Sequence, residues 1–336
     1  MANFASVNSV NAIAILDAHT NRILQGYRPD GFIADDVFKK LPVDVVTARI
    51  PKTNAPLALN SQLELSPTGF PTIKLNFSAT DYYVIKARGA QVFLEPSDEV
   101  QLGGAAQAKA ITAYQLADYI EVQKEYALSN GIFSPSIMVQ NFAPSAQYSD
   151  PGADPVSDFI KARSIVVGGI GSSYGCGQEP NVAIMNWQVF IYLSQHPALL
   201  KITFQNITDG TKQLDAAKLA QIMGVEKILI AKARYDASEP GPTATPYYLQ
   251  LWPNHVLFAK IDQNPNPAMA TQSLGYEFTP SGADMVPPDA FWQWTPPSLL
   301  PSMGQFYARM KAYDQHITNV YAGCLITNVL DASLAR

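Results

Sequence analysis

The pattern of apolar and polar positions separates an extended first part of the chain from a mixed second part. The first hundred residues are polar and interrupted by prolines, with three β-rich runs: VDVVTARI (43–50), FPTIKLNF (70–77) and DYYVIKARGAQVFL (81–94). These runs predict strands of a long hairpin whose turn lies near residues 54–69. Because a two-stranded hairpin is marginal in water, its apolar side chains need cover from elsewhere.

The pattern changes at residue 105, where the longest helix is predicted over residues 105–129. Ala108, Ile111, Ala117 and Ile120 are spaced for one helical face, and neither glycine nor proline follows until Gly131. A shorter helix is predicted from residue 155, where a proline suits the first helical position and the preceding aspartate suits the N-cap.

Apolar segments continue through the second half of the chain. The run NVAIMNWQVFIYLSQ (181–195) predicts a buried helix that Asn181 can cap. The segment TKQLDAAKLAQIMGVEKILIAKARYD (211–236) predicts a helix over 213–223, a left-handed C-terminal residue at Gly224, and a strand. YYLQLW and HVLFAKI are predicted strands that a tight turn at Pro253 and Asn254 joins.

The last third of the chain begins with a proline- and tryptophan-rich insertion, MVPPDAFWQWTPPSLLPSM (285–303). Its exposed aromatic side chains are candidates for a contact with another molecule. The chain then closes on QHITNVYAGCLITNVLDASL, whose alternation predicts paired strands.

Composition narrows the class of protein. With 336 residues, 47% of them hydrophobic, the chain can bury a sizeable core. A net charge of -5 without a basic tail argues against a surface that binds nucleic acid by neutralising phosphates. Two distant cysteines, Cys176 and Cys324, indicate neither a disulfide framework nor a structural zinc site, and favour a reducing compartment. The N-terminus lacks the pattern of a secretory signal, and polar residues interrupt the longest uncharged run, so no membrane span is predicted.

One motif carries possible chemistry. Within SIVVGGIGSSYGCG (164–177), Gly171, Ser173 and Gly175 form the G-x-S-x-G pattern of a hydrolase nucleophile elbow. An elbow needs a helix that starts at the serine, whereas two more glycines and a proline follow. Asp209 or Asp262 with His316 would complete a triad in the right chain order, but any chain of this length offers such a set.

The same glycines do not fit a nucleotide-binding turn. No acidic residue lies between Glu179 and Asp209, where a ribose-binding carboxylate would be expected, and no lysine follows the glycines. We therefore expect a mobile loop here.

The remaining polar and aromatic residues are expected to have structural roles. No histidine pair has the spacing of a metal-binding helix, so surface or capping roles are predicted for all four. The four histidines are His19, His196, His255 and His316. Solvated turn positions are expected for the acidic pairs Asp35–Asp36 and Asp98–Glu99. Core packing is expected for Trp187, and solvent exposure for the hairpin lysines Lys52 and Lys74.

The order of the predicted elements resembles that of the tailed-bacteriophage major capsid proteins. A polar arm, a long hairpin, one long helix, a compact α/β segment and returning C-terminal strands follow one another. The stretches that look like this family are GFIADDVFKKLPV, NVAIMNWQVFIYLSQHPALL, LAQIMGVEKILIAKARY, and LWPNHVLFAKI followed by SLGYEFT. The resemblance covers nearly the whole chain, without one diagnostic motif.

The resemblance implies an α+β fold of the Hong Kong 97 type. Residues 1–42 would form the N-terminal arm, and residues 43–90 the extended loop, or E-loop, that overlaps a neighbouring subunit. Residues 91–177 and 271–336 would form the peripheral domain, whose spine helix covers about 105–129. Residues 178–270 would form the axial α/β domain at the centre of the hexamer or pentamer.

The resemblance also implies the function of a major capsid protein. Such a protein assembles as hexamers and pentamers into the icosahedral shell that encloses the double-stranded DNA of a tailed phage. The expected partners are further copies of the chain, a portal, a separate scaffolding protein, since no charged helical scaffolding segment is recognised, and in some shells a decoration protein. We expect no catalytic residue, cofactor, metal, membrane or sequence-specific DNA contact, and a location in the virion after assembly in the host cytoplasm. The alternatives are a serine hydrolase that uses Ser173 and an encapsulin-like nanocompartment shell.

Overall fold

The computed structural model describes residues 15–16, 29–52, 76–168, 175–203, 213–238, 247–265, 273–281, 287–295 and 304–331. The strands in these ranges are β1 (Ile15–Leu16), β2 (Lys39–Val43), β3 (Thr47–Lys52), β4 (Asn76–Val84), β5 (Lys86–Leu94), β6 (Asn141–Phe142), β7 (Val182–Asn186), β8 (Lys227–Ala231), β9 (Arg234–Asp236), β10 (Tyr248–Gln250), β11 (Val256–Ala259), β12 (Gly275–Pro280), β13 (Asp289–Trp294), β14 (Gln305–Ile317) and β15 (Gly323–Ile326). The α-helices are α1 (Ala34–Val37), α2 (Pro96–Gln101), α3 (Ala105–Ile132), α4 (Pro155–Val167), α5 (Trp187–Gln195), α6 (Pro197–Thr203) and α7 (Ala216–Met223).

The first large sheet is organised around the long strand β14. Its strand order is β1-β13-β14-β12-β2, and β5 also pairs with β14. The first part of β14 lies between β13 and β5, and its last residues pair with β12. Because β12 in turn pairs in parallel with β2, the sheet connects the N-terminal segment to the C-terminal third of the chain.

Helix α3 lies across β5 and β14 and confirms the predicted long helix, which continues three residues further to Ile132. Three of the four predicted core residues, Ala108, Ala117 and Ile120, are buried. The first half of the helix packs against Leu94, Phe291 and Tyr307 of the sheet. Its last turns enter a second core, so this helix joins the two main apolar cores of the described chain.

The second large sheet has the strand order β6-β15-β11-β7-β8. All residues of β7, β11 and β15 are buried, as expected for strands that are covered on both faces. Helix α4 packs on β11 and β15, and α7 packs on β8. Helix α4 begins as predicted, because the Asp154 side chain accepts a hydrogen bond from the Ser157 N–H at 3.3 Å and Pro155 occupies the first helical position.

The single helix predicted over residues 181–195 is wrong. Residues Val182–Asn186 form β7, and the helix begins only at Trp187. A continuous apolar run does not distinguish a buried strand from a buried helix by periodicity. The helix starts at residue 187 because the Asn186 side chain accepts a hydrogen bond from the Val189 N–H at 2.8 Å.

The strands predicted at the end of the chain exist, but they do not pair with each other. Strand β14 belongs to the first sheet and β15 to the second. Between them, the Asn319 side chain caps a 3₁₀ turn, Val320–Ala322, which redirects the chain. YYLQLW and HVLFAKI also contain strands, but β10 pairs with β9 and β11 pairs with β7 and β15.

The predicted hairpin is present in its described part. Strands β3 and β4 are antiparallel, although DYYVIKARGAQVFL is not one strand of it. This run divides at Ile85, after which β5 leaves the hairpin and pairs with β14. Of FPTIKLNF, only residues 76–77 are described, and the predicted turn at 54–69 and Lys74 lie outside the described residues.

The proline- and tryptophan-rich insertion contributes strand β13 to the first sheet. Phe291 is buried against the first half of α3, and Trp294 stacks on Phe306 of β14 with 5.4 Å between ring centroids. These aromatic side chains therefore pack within the sheet. Residues 282–286 and 296–303 of this region lie outside the described part.

Candidate functional site

The base of the hairpin is anchored in an apolar cluster. Tyr83 of β4 stacks on Phe278 of β12, with 4.2 Å between ring centroids. Ile50 and Ile85 are buried in the same cluster, which also contains Leu41, Tyr276 and Ala312. The direction in which the hairpin leaves the body is therefore set by packed side chains.

Beside this anchored cluster, the base of the hairpin also has exposed apolar side chains. Within the described residues, β3 and β4 pair only with each other. Tyr82 is 55% exposed, and Val45 and Val46 in the turn before β3 are also exposed. A two-stranded ribbon with exposed apolar side chains is expected to bury them against another surface.

The middle of α3 contains a buried charge network, which we define as Asp35, Glu121, Lys124, Glu125, Glu277 and Lys311. At its centre, the Lys124 side chain is only 1% exposed, and its ammonium lies 2.6 Å from a Glu277 carboxylate oxygen. Lys124 also pairs with Asp35 of α1. The network lies between the two apolar cores that α3 joins, and it connects the N-terminal segment, the helix and the first sheet.

Two further ion pairs lie on the face of the sheet that contacts α3. Lys311 of β14 pairs with Glu121. Arg309 binds Asp289 of β13 with two hydrogen bonds, of 3.0 and 2.8 Å. Such two-point contacts are directional and fix the relative positions of the groups.

Glu125 connects the network to the second core. One carboxylate oxygen accepts the Trp252 Nε1–H at 2.9 Å, and the other accepts the backbone N–H of Ala34 at 2.5 Å. Because a buried carboxylate needs such donors, this residue holds the start of α1 against the long helix.

The pKa values follow this arrangement. Burial alone would lower the pKa of Lys124, but the carboxylates of Glu277 and Asp35 outweigh it and raise that pKa above its usual range. Burial would likewise raise the pKa of Asp35, but Lys124 and Lys40 hold it well below its usual range. For Glu277, burial is the larger effect and its pKa is raised.

The prediction that Asp35 is a solvated turn residue is wrong, because it lies in α1 and pairs with a buried ammonium. Sequence reasoning missed Lys124, Glu121 and Glu125 as well. Their one signal was position, since each falls within the predicted helix close to the apolar face. The second acidic pair lies in the short helix α2, where Asp98 accepts the backbone N–H of Glu95 in a capping box.

Ser173 lies outside the described residues, but the ends of its loop are described. The loop follows α4 and leads into β7, whereas a nucleophile elbow lies between a strand and a helix. Gly175 contacts the helix end so closely that an added Cβ would lie 2.2 Å from the Gly168 nitrogen. Of the candidate triad partners, Asp262 accepts the Tyr276 hydroxyl at 3.3 Å, and Asp209 is outside the described part.

Of the histidines, His196 has the predicted capping role, whereas His255 is half-buried and bonds a loop N–H. The Nδ1 atom of His196 accepts the Ala198 N–H at 3.3 Å. The Nδ1 atom of His255 accepts the Asn328 N–H at 2.9 Å, and its ring stacks on Phe133. Trp187 packs against the second core as predicted.

The described residues contain no group of histidine, cysteine and acidic side chains that would hold a metal ion. Among the described helices, none combines the length and the apolar character that a membrane span requires. An open cleft of about 470 Å³ lies beside the end of α7, but both charge signs line it, and its charged residues are Glu179, Glu226 and Lys260.

Neither a family model nor a curated protein sequence matches the chain. Solved structures match it over most of its length. A phage-related protein from Bordetella bronchiseptica RB50 is similar with 17% identity and a TM-score of 0.68, and the match covers 94% of this chain and 98% of that chain. The capsid structure of the cyanophage P-SCSP1u is similar with 11% identity and a TM-score of 0.51, covering 86% of each chain.

A structure from Microbacterium phage Oxtober96 is similar with 12% identity and a TM-score of 0.51, covering 90% of this chain and 93% of that chain. At such identities the likeness concerns the fold. The chain therefore has the α+β, Hong Kong 97-type fold of phage capsid proteins.

Proposed function

We propose that the protein is a structural, shell-forming capsid protein. In the finer form of this proposal it is the major capsid protein of a tailed phage, which assembles as hexamers and pentamers into an icosahedral shell around double-stranded DNA. The shell would be part of the virion, assembled in the host cytoplasm. A portal, a separate scaffolding protein and, in some shells, a decoration protein would be its partners.

The observation that carries this proposal is the hairpin. Its base is fixed by the Tyr83 and Phe278 stack, whereas Tyr82 and the turn before β3 remain exposed. A rigidly aimed ribbon with uncovered apolar side chains is suited to contact another copy of the chain. Repeated contacts of this kind between identical subunits produce closed assemblies when their geometry closes.

The parts of the chain receive roles within this proposal. Residues 1–42 are assigned to the arm, 43–90 to the extended loop, 91–177 and 271–336 to the peripheral domain with its spine helix α3, and 178–270 to the axial domain. Strands β6 and β15, from the segments assigned to the peripheral domain, share a sheet with β7, β8 and β11 of the segment assigned to the axial domain.

The net charge of -5 is compatible with this role, because a mildly acidic wall does not bind packed phosphates strongly. It gives no support for sequence-specific binding of DNA.

The test is to shorten the hairpin. We expect that replacing residues 54–68 by a short Gly-Ser linker abolishes closed particles, which sedimentation and negative-stain electron microscopy would detect. Circular dichroism should stay unchanged, since the anchored base is intact. A Gly-Ser replacement of unchanged length is the matched control that separates the reach of the hairpin from its side chains. Complete particles of normal size from the shortened protein would contradict the role of the hairpin.

The content of the particles tests the finer proposal. Particles from infected or induced cells should contain nuclease-protected double-stranded DNA. A protein cargo without DNA would support a shell but overturn its role as a genome container.

Substitution of Ser173 tests the hydrolase alternative. We expect that Ser173→Ala changes neither particle yield nor any esterase activity. A large loss of a genuine wild-type hydrolytic activity would contradict the structural role.

A further inference from the structure

Strand β5 has one free edge within the described part of the chain. One edge pairs with β14 from Leu94 to Lys86, and the described residues provide no strand for the other edge. Four consecutive residues at its start, 86–89, are exposed, as is Gln91. An edge strand with unpaired backbone groups is a template for a further strand.

Side chains on both faces of β5 pack against the rest of the fold and hold the strand in place. Ala90, Val92 and Leu94 contact the cluster that includes α3, and Phe93 on the other face contacts Phe306 at 4.8 Å between ring centroids. A partner strand would therefore meet a fixed edge and would lose little conformational entropy in ordering it.

The two ends of this edge carry opposite charges. Lys86 lies at the start of the strand, near Arg88, whose guanidinium lies over the Tyr313 ring of β14 at 4.7 Å. Glu95, the N-cap of α2, and Asp98 and Glu99 within α2 follow the end of the strand. A parallel copy would place like charges side by side. An antiparallel copy would place the basic end of each strand beside the acidic end of the other.

We propose that β5 is an interface between two copies of this chain, which pair their β5 strands antiparallel across a two-fold axis near Ala90 and Gln91. The same surface is used twice, as in any isologous contact. The two sheets then continue as one, with both long helices on the same face. Charged edge residues discourage pairing with unrelated strands, so the charge pattern also restricts the partner. This inference does not require a closed shell, because a pair of copies can form with or without one.

Cross-linking of the full-length protein tests the pairing. In a Gln91→Cys variant, a short bismaleimide should yield a covalent dimer on a denaturing gel. The matched control is Gln123→Cys, another exposed glutamine, on the outer side of α3. The native Cys176 and Cys324 are buried, so the unmodified chain gives the background. Equal dimer yields from Gln91→Cys and Gln123→Cys would overturn the proposal.

Charge exchange tests the orientation. In the Gln91→Cys background, Lys86→Glu and Glu99→Lys should each lower the dimer yield several-fold, and the combined variant should restore it. Failure of the combined variant to exceed the single ones would overturn the antiparallel pairing. Particles that lack the cross-link would contradict this inference and leave the shell proposal intact. Cross-linked dimers without particles would support this inference and contradict the shell proposal.

Discussion

The second sheet and the middle of α3 are equally buried but differ in chemistry. Strands β7, β11 and β15 bury almost only apolar side chains, whereas the charge network buries ammonium and carboxylate groups at the junction of two cores. Apolar burial stabilises a fold without much direction. Buried ion pairs have a large desolvation cost, so they contribute little net stability, but they accept only a few arrangements. The charge network at this junction therefore specifies the relative positions of the N-terminal segment, the long helix and the first sheet.

The largest expected effect comes from removing the central cation. Lys124→Met removes the ammonium that pairs with both Glu277 and Asp35 and leaves Asp35 only the more exposed Lys40. We expect a loss of about 3–5 kcal/mol in the free energy of unfolding. Chemical denaturation of the soluble subunit would measure it. Adding Glu277→Gln to that variant should recover part of the loss. A loss below about 1 kcal/mol for the single variant would contradict the central role of Lys124 in the charge network.

In the apolar sheet, Leu257→Ala should cost about 2–5 kcal/mol, because it leaves a cavity in a fully buried strand. The same denaturation assay applies. Unlike the loss at Lys124, this loss should not be recovered by a polar substitution at a neighbour. A polar second substitution that restores stability would remove the distinction between the two regions.

Gly224 ends α7 with φ +67°, the left-handed conformation that was predicted. An added Cβ would also lie 2.2 Å from the Arg163 Nη1 atom. Gly224→Val should therefore destabilise the fold by more than about 1 kcal/mol, as judged by thermal unfolding. Gly131→Ala in α3 is the control, since its Cβ meets only Ile317 at 3.9 Å and helix propensity favours alanine. An unchanged midpoint for Gly224→Val would contradict the predicted strain.

The smallest effect is a pH dependence at His255. Burial lowers the pKa of this side chain. As the pH falls below about 6.5, the unfolded chain binds a proton that the folded chain still excludes, so stability decreases toward the folded pKa. His255→Gln should reduce the difference between the thermal midpoints at pH 7.5 and pH 5.5. The same difference between the two midpoints in the wild type and in the variant would show that His255 does not cause the pH dependence.

Local signals predicted the elements that local physics controls. The N-cap at Asp154, the end of α7 at Gly224 and the continuous face of α3 depend on neighbouring residues in the chain, and each was predicted correctly. The run before the helix α5 was not, because five buried residues in succession suit a strand and a helix equally. Only pairing with β8 and β11 makes β7 a strand.

The charge network could not be predicted, since its members are far apart in the chain. Asp35 and Lys124 are separated by 89 positions, and Glu121 and Lys311 by 190. An isolated lysine in a helix has no sequence signal for burial, and the usual expectation is a solvated charge. Lys124 becomes buried and gains its carboxylate partners only when these distant segments pack together.

By itself, the sequence determined the long helix, the helix ends at Asp154 and Gly224, and the order of elements that resembles phage capsid proteins. Those features arise from interactions over a few residues and from the periodicity of apolar positions. Only the tertiary structure decided which strands share a sheet, where β4 gives way to β5, and which charges are buried. Such choices depend on contacts between distant segments, whose energies exist only after the chain has folded.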